Sequence, residues 1–337
     1  MTSESLREPA MVDVARLAGV SHQTVSRVLN NHPNVRPDTA RRVRAAITEL
    51  GYRPNRAARA LVTGRTQLLG VVGLNTTLYG PASMLAAFEQ AAAAAGFAVS
   101  VGNVADLDRE SVTAVVERHL DERVAGIVVI APVVSAAEAL EALSTDVPMV
   151  TIDGDPRRVL PGVTVDQGMG ARIATQHLLD AGHPTVWHVS GPEGWFDSAG
   201  RIAGWEATLR DAGVEIPPVF PADWSAAAGY RTGTMLARIP EVTAIFAAND
   251  HLALGILRAL YERGRRVPED VSIVGFDDVP EAGYFIPPLT TVRPDFRAVA
   301  DQALQLLLSR LSAQLQPVER VELAPRLVVR RSVAAPR

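Results

Sequence analysis

The sequence predicts two kinds of architecture in one chain: an α-helical helix-turn-helix head, followed by an α/β body of two doubly wound parallel-sheet lobes. Three observations carry this. The first 50 residues hold short amphipathic helix patterns, the remainder alternates short apolar runs with helical segments, and that alternation occurs twice. Runs that are apolar on both faces and alternate with helices belong to parallel sheets covered by helices on either side. At 337 residues the chain has room for two or three domains.

In the head, MVDVARLAG sets Met11, Val14, Ala15, Leu17 and Ala18 at helical spacing and stops at Gly19. Ser21 suits the N-cap of a second helix over 22–30, where its hydroxyl can accept an orphan backbone N–H. A third helix begins at Pro37 and Asp38 and ends at Gly51. The link Ala18-Gly19-Val20-Ser21 is the short glycine-bearing turn that a helix-turn-helix needs.

The stretch VSHQTVSRVLNNHPNV (20–35) combines an apolar face of Val20, Val25, Val28, Leu29 and Val35 with polar side chains. His22, Gln23 and Arg27 lie at the start of the second helix, where such a motif presents donors and acceptors to base edges. A polar stripe is more often a solvated face, but charge favours a polyanion partner. Residues 1–65 carry 11 arginines against 5 acidic residues, in a chain of net charge −4.

Residues 51–66 form a joint. Pro54 breaks the preceding helix, NRAARALV is a short helix former, and Gly64 ends it. Asn55, Arg56 and Arg59 flank Ala57, Ala58 and Leu61. Small residues allow two such helices to approach closely, and a leucine can wedge between base steps in a minor groove. A solvated linker is the alternative.

In the body, strands are expected at 68–74, 97–104, 126–132 and 147–153, with a second series from 162–166 through 185–192, 244–250 and 271–278. The helix FRAVADQALQLLLSRL and the strand-like LAPRLVVRRSV return to cover one or both lobes. The expected domains are a DNA-binding head at 1–50, a hinge at 51–66 and a body at 67–337. Lobe 1 spans about 67–162 and 293–322, lobe 2 about 163–292 and 323–333. Polar residues collect at the strand ends: Asp153, Asn249, Asp250, Asp277 and Asp278, with Arg201 and Trp224 nearby. Any one aspartate could simply cap a helix. Together, carboxylates, an amide, one arginine and a stacking aromatic suit a cleft that holds a sugar.

The chain has no cysteine, so it has neither disulfides nor thiolate metal sites. His177, His183 and His188 lack metal-ligand spacing, and there is no G-x-S-x-G elbow or Walker loop. No catalytic residue, metal or cofactor is expected. The N-terminus lacks a signal-peptide pattern, and no window approaches the roughly 20 apolar residues of a membrane span. A cytoplasmic protein without membrane partners is expected.

VDVARLAGVSHQTVSRVLN, YRPNRAARAL and the body segments AGRIAGW, DWSA, ANDHLALG, GFDD and YFIPPLTT make the chain resemble the LacI/GalR family of bacterial transcriptional regulators over essentially its whole length. The resemblance implies a periplasmic-binding-protein-like body and no enzymatic activity. It also implies a homodimer that reads a pseudo-palindromic double-stranded DNA operator and is released by a small saccharide effector, galactoside-like.

Carried onto this sequence, the DNA-binding residues are His22, Gln23, Thr24, Ser26, Arg27, Asn30, Asn55 and Arg56, with Leu61 as the hinge wedge. The effector residues are Leu78, Gly80, Pro81, Met84, Asp153, Trp195, Arg201, Trp224, Asn249, Asp277 and Phe296. In the branch matched most by the body motifs, a tyrosine stands at the position of His22 and a cleft asparagine at that of Ala131. Trp195 is an added aromatic, and Ala10 replaces the usual hydroxyl cap, a loss of about 1 kcal/mol. Other readings are a regulator that answers to a purine or another corepressor, and a sugar-binding protein with no DNA role.

Overall fold

A computed structural model of the chain describes residues 9–29, 34–52, 66–74, 77–104, 109–130, 132–135, 140, 145–154, 160–312 and 320–337. They divide into two compact units, Met1–Thr66 and Gln67–Arg337.

The first unit contains α1 (Met11–Ala18), α2 (His22–Leu29) and α3 (Pro37–Leu50). Val14, Val25, Val28, Val43 and Tyr52 interlock in its core, with Val20, Leu29 and Val35 packed around them. The Ser21 hydroxyl accepts the Thr24 N–H at 3.2 Å, capping α2 as its position predicts. At α1, Ala10 offers no side-chain acceptor. Instead the Asp13 carboxylate reaches back to the Ala10 N–H at 2.9 Å, the reciprocal half of a capping box. Gly19 takes the left-handed conformation (φ 61°), and Arg42 of α3 donates to the Ala18 and Gly19 carbonyls. The helix-turn-helix corner is thus fixed by glycine freedom and a guanidinium clamp.

The second unit is two lobes with one topology. The first sheet contains β1 (Leu68–Leu74), β2 (Ala98–Val104), β3 (Gly126–Ile130), β4 (Met149–Ile152), β5 (Gly162–Val165) and β11 (Arg320–Leu323), in the order β2-β1-β3-β4-β5-β11. The second contains β6 (Trp187–Ser190), β7 (Phe220–Pro221), β8 (Ala244–Ala247), β9 (Ser272–Phe276), β10 (Thr290–Arg293) and β12 (Arg326–Val328), in the order β7-β6-β8-β9-β10-β12. Every pairing is parallel except that of β12 with β10. Alternate residues serve opposite cores: Leu69, Val71, Val128 and Ile130 pack on one face of the first sheet, and Val72, Ile127 and Val129 on the other.

Around the first sheet lie α4 (Tyr79–Ala94), α5 (Arg109–Asp121) and α10 (Phe296–Leu311). Around the second lie α6 (Gln167–Asp180), α7 (Phe196–Ala212), α8 (Ala226–Leu236) and α9 (Asp250–Glu262).

The strand over Gly162–Val165, which its place in the sequence assigns to the second series, pairs instead with β4 and β11 in the first sheet. Its burial is the same in either place, so hydrophobic pattern does not reveal the sheet it joins. The C-terminal segments divide between lobes: α10 fills the first core with Val299, Ala303 and Leu307, and β12 edges the second sheet. The chain therefore passes between lobes three times, between β5 and α6, between β10 and α10, and between β11 and β12. Beyond β12 the buried Ser332 hydroxyl donates to the Ile273 carbonyl at 2.6 Å and accepts the Thr290 N–H at 2.8 Å, stapling the tail to the second lobe.

Candidate functional site

Both sheets have the strand order of a doubly wound fold, and such folds place ligands outside the carboxyl ends of their strands. The polar residues read from the sequence sit at those ends. Asp153 follows β4, Asn249 follows β8 and Asp277 follows β9, while Thr77–Pro81 follow β1. Asp153 (φ 53°) and Asp277 (φ 101°) hold left-handed backbone, which for a non-glycine residue stores of order 1–3 kcal/mol.

Between the lobes lies a cleft of about 320 Å³. Leu78, Gly80, Pro81, Trp195, Arg201, Trp224, Asn249 and Asp277 all line it. Asp153 and Phe296 line a smaller inner recess that also touches Gly80, Pro81, Arg201 and Asp277. Met84 does not reach the cleft: it is 1% exposed in the first core, because its turn of α4 faces the sheet.

Two aromatics shape the second-lobe wall. The Trp195 and Trp224 rings meet edge-on, 5.5 Å between centroids. Trp224 lies against Gly191, where a Cβ would fall 2.1 Å from the indole, so only glycine admits the ring. Trp195 is held by a clasp between lobes, in which the Val134 N–H donates to the Gly194 carbonyl at 3.0 Å and the Phe196 N–H to that of Pro132 at 2.8 Å.

Arg201 is the cleft's central cation, 4% exposed. Its Nε donates to Gln167 Oε1 at 2.9 Å, its Nη1 donates to the Ala248 carbonyl, and its guanidinium lies 3.6 Å from the Phe276 ring centroid. Its Nη2 is 3.9 Å from Asp197 and 3.8 Å from Asp277. Sequence reasoning missed Asp197. The signal was present, since a carboxylate four residues before an arginine on one helix faces it.

Burial pushes Asp153 up to about 8, helped by Asp197 and opposed by the Val165 N–H and Arg201. Burial likewise lifts Asp277 to about 7 and raises Asp197, with Arg201 opposing both. In the unfolded chain Asp153 ionises near 3.8, so its proton favours the folded state at low pH, and that advantage is lost as pH rises through about 8. Asp153→Asn keeps an acceptor for the Val165 N–H and carries no charge. Thermal unfolding should show the variant matching the native chain near pH 4 and exceeding it by about 2–4 °C at pH 9, the shift that roughly 1 kcal/mol gives a domain of this size. An unchanged difference across that range would contradict the assignment.

Other strand-end polar groups are structural. Asp250 accepts the Val279 N–H at 2.9 Å and the Thr291 hydroxyl at 2.6 Å. Asp278 is held by Arg293 and Arg330. Those two arginines line a neighbouring cavity of about 350 Å³, where both pair with Asp278. Asn249, though it lines the cleft, caps α9 through Leu252 N–H at 2.8 Å and donates to the Trp224 carbonyl at 3.1 Å, so both ends of its amide are engaged.

On the head, His22, Gln23 and Arg27 are exposed on one helix whose valines are buried, and Thr24 and Ser26 are half-buried. The Thr24 hydroxyl pairs with that of Ser21 at 2.9 Å. Asn30, Asn55, Arg56, Leu61 and Ala131 lie outside the described residues. Among the described residues no cluster of three metal-ligating side chains occurs, and no helix is long and apolar enough to cross a membrane.

Residues 10–55 match the sequence model of bacterial regulatory proteins of the lacI family, and residues 175–333 match that of the periplasmic binding protein-like domain. The lactose operon repressor of Escherichia coli K12 is 35% identical, over 98% of this chain and 92% of that one. The transcriptional repressor PurR of Haemophilus influenzae PittEE is 32% identical over 95% of this chain and 97% of its own length. Among solved structures, a lac repressor dimer bound to operator and the anti-inducer ONPF superposes with a TM-score of 0.86 at 33% identity, covering 98% of this chain and all of that one. The regulator CelR in complex with cellobiose gives 0.72 at 30% identity, covering 96% and 99%.

Proposed function

The chain belongs to the lacI family of bacterial regulatory proteins, and from that premise we propose that it is a DNA-binding transcriptional repressor whose hold on its operator is set by a saccharide in the interlobe cleft. The observation that carries the saccharide is the cleft itself: indole walls from Trp195 and Trp224 beside carboxylates and one engaged guanidinium. Sugars offer apolar ring faces for stacking and hydroxyls for acceptors. The DNA role rests on exposed His22, Gln23 and Arg27 over a rigid valine core. The effector is proposed to be galactoside-like, and the site of action the cytoplasm, where the operator is.

The protein is proposed to act as a homodimer, so that two heads read a pseudo-palindromic operator. Large apolar side chains stand in solvent on the second lobe, with Tyr261 76%, Tyr284 87% and Ile286 92% exposed, which suits a partner surface. Saccharide binding weakens operator binding only by as much as it prefers the lobe arrangement that separates the hinges.

A thermal-shift screen of mono- and disaccharides together with purine nucleobases, with hits tested in an operator gel shift, tests this reading. A sugar that binds and changes operator affinity supports it, and a nucleobase as the only hit overturns the saccharide assignment in favour of a purine-type corepressor. Leu61→Ala is expected to lower operator affinity about tenfold or more with sugar binding intact, as losing about 1.4 kcal/mol of wedge contact requires. Equal operator affinity would remove Leu61 from the interface.

A further inference from the structure

Among the described residues the cleft and its inner recess hold more carboxylates than cations. Three carboxylates, Asp153, Asp197 and Asp277, surround one guanidinium, and Arg201 already gives two of its donors to Gln167 and Ala248. Among the described residues, Asp153 accepts one hydrogen bond, from the Val165 N–H at 3.2 Å. Among the described residues none is donated to the carboxylates of Asp197 or Asp277, and the Arg201 Nη2 lies 3.9 Å and 3.8 Å from them. Asp277 is 8% exposed and lines the cleft, its inner recess and the neighbouring cavity. A carboxylate so deeply buried is costly unless hydrogen-bonded or paired. Arg201 offsets one carboxylate, and burial keeps protons on the other two until a cation reaches them.

A neutral sugar supplies hydroxyl donors but no charge. An ammonium group supplies three donors and a positive charge, and its hydrogen bonds to carboxylates are roughly twice as strong as neutral ones. The Trp224 ring already carries the Arg201 guanidinium 5.6 Å from its centroid, and Tyr79 and Trp195 add aromatic lining that attracts cations. Asp197 is the carboxylate whose charge acts on both of the others.

We propose, building on the saccharide reading above, that the effector is an amino sugar, with its protonated amine held between Asp197 and Asp277. Among the described residues the other ionisable groups around this position are Asp153 and Arg201, Asp250 behind Asp277, and Tyr79 and His251 on the cleft wall, with Asp278 next to Tyr79. Asp153 and Asp277 hold protons in the neutral range because burial raises them. An incoming ammonium displaces those protons, so binding of the amine strengthens as pH rises from 6 to 7.5 and releases protons to the buffer.

The test uses the full chain and the fluorescence of Trp195 and Trp224. D-Glucosamine, D-galactosamine and D-mannosamine are titrated beside their neutral parent sugars, their N-acetyl derivatives and ethanolamine. One amino sugar should bind at least tenfold tighter than its parent, lose that margin on N-acetylation, and exceed ethanolamine, which separates an amino sugar from a simple amine. Asp197→Asn and Asp197→Ser should each bring the amine-to-parent ratio toward one. That ratio, taken within one protein, is insensitive to a general loss of stability. A parent sugar binding as tightly as its amine, or a ratio unmoved in both variants, overturns the amine assignment and leaves the saccharide reading standing. Binding by no sugar of any kind removes both.

Discussion

Arg201→Met is expected to weaken saccharide binding by about 100-fold or more and to lower the melting temperature by roughly 10 °C, while leaving the head able to bind operator. The guanidinium is 4% exposed, donates to Gln167 and Ala248, and sits over Phe276 between two aspartates. Methionine fills comparable volume but leaves the Ala248 carbonyl and the carboxylates of Asp153, Asp197 and Asp277 without this guanidinium. Removing one partner of a buried, hydrogen-bonded charge pair costs about 3–5 kcal/mol, and at a binding site about 2–5 kcal/mol of affinity. The carboxylates respond by rising further, since Arg201 is what opposes their upward shift. In a cell the variant is expected to stay on its operator when the proposed saccharide is added. Calorimetric titration and a gel shift on the same preparation decide the matter. Saccharide affinity within threefold of the native value would falsify the central role given to this arginine.

Val25→Asp should do the opposite: operator binding disappears and saccharide binding stays. Val25 is fully buried against Val14, Val28 and Val43 in a head of three short helices. A carboxylate there has no partner and costs several kcal/mol. A unit this small has little stability in reserve. The body is a separate compact unit with its own cores, so it survives the loss of the head. Gln23→Ala serves as the control, because Gln23 is exposed and its removal changes only what the helix can read. A folded, operator-binding Val25→Asp protein would show that the head does not depend on that core.

The contrast between these two residues shows what the sequence could reveal. Val25 is legible because helical spacing alone puts it opposite Gln23 and Arg27, and Gly19 and Ser21 mark the corner by their own local chemistry. The alternation of runs and helices likewise disclosed two doubly wound lobes. Pairing partners were not legible: β5 has the same apolar character in either sheet, and only long-range hydrogen bonding to β4 and β11 assigns it.

Strand-end placement picks out Asp153 and Asp277, which line the cleft and its recess, but does not separate them from Asp250 and Asp278, whose partners lie far along the chain at Thr291 and Arg330. Met84 failed on rotational phase, a matter of which side of one helix turn meets the sheet. The Val134–Gly194 clasp is backbone to backbone and leaves no residue signature at all.

The three passages of the chain between lobes set the order in which a ribosome can complete this protein. The helix Met11–Ala18 and its two neighbours are contiguous, so the head can close as soon as about 50 residues have emerged. Neither lobe can. The first sheet waits for Arg320–Leu323 and its core for Val299 and Leu307, while the second waits for Arg326–Val328 and Ser332. Until then Leu69 and Phe88 on one side lack the helix that covers them. A nascent chain thus carries a finished DNA-reading head ahead of two open sandwiches, and a pause or truncation late in synthesis leaves apolar sheet faces available for aggregation.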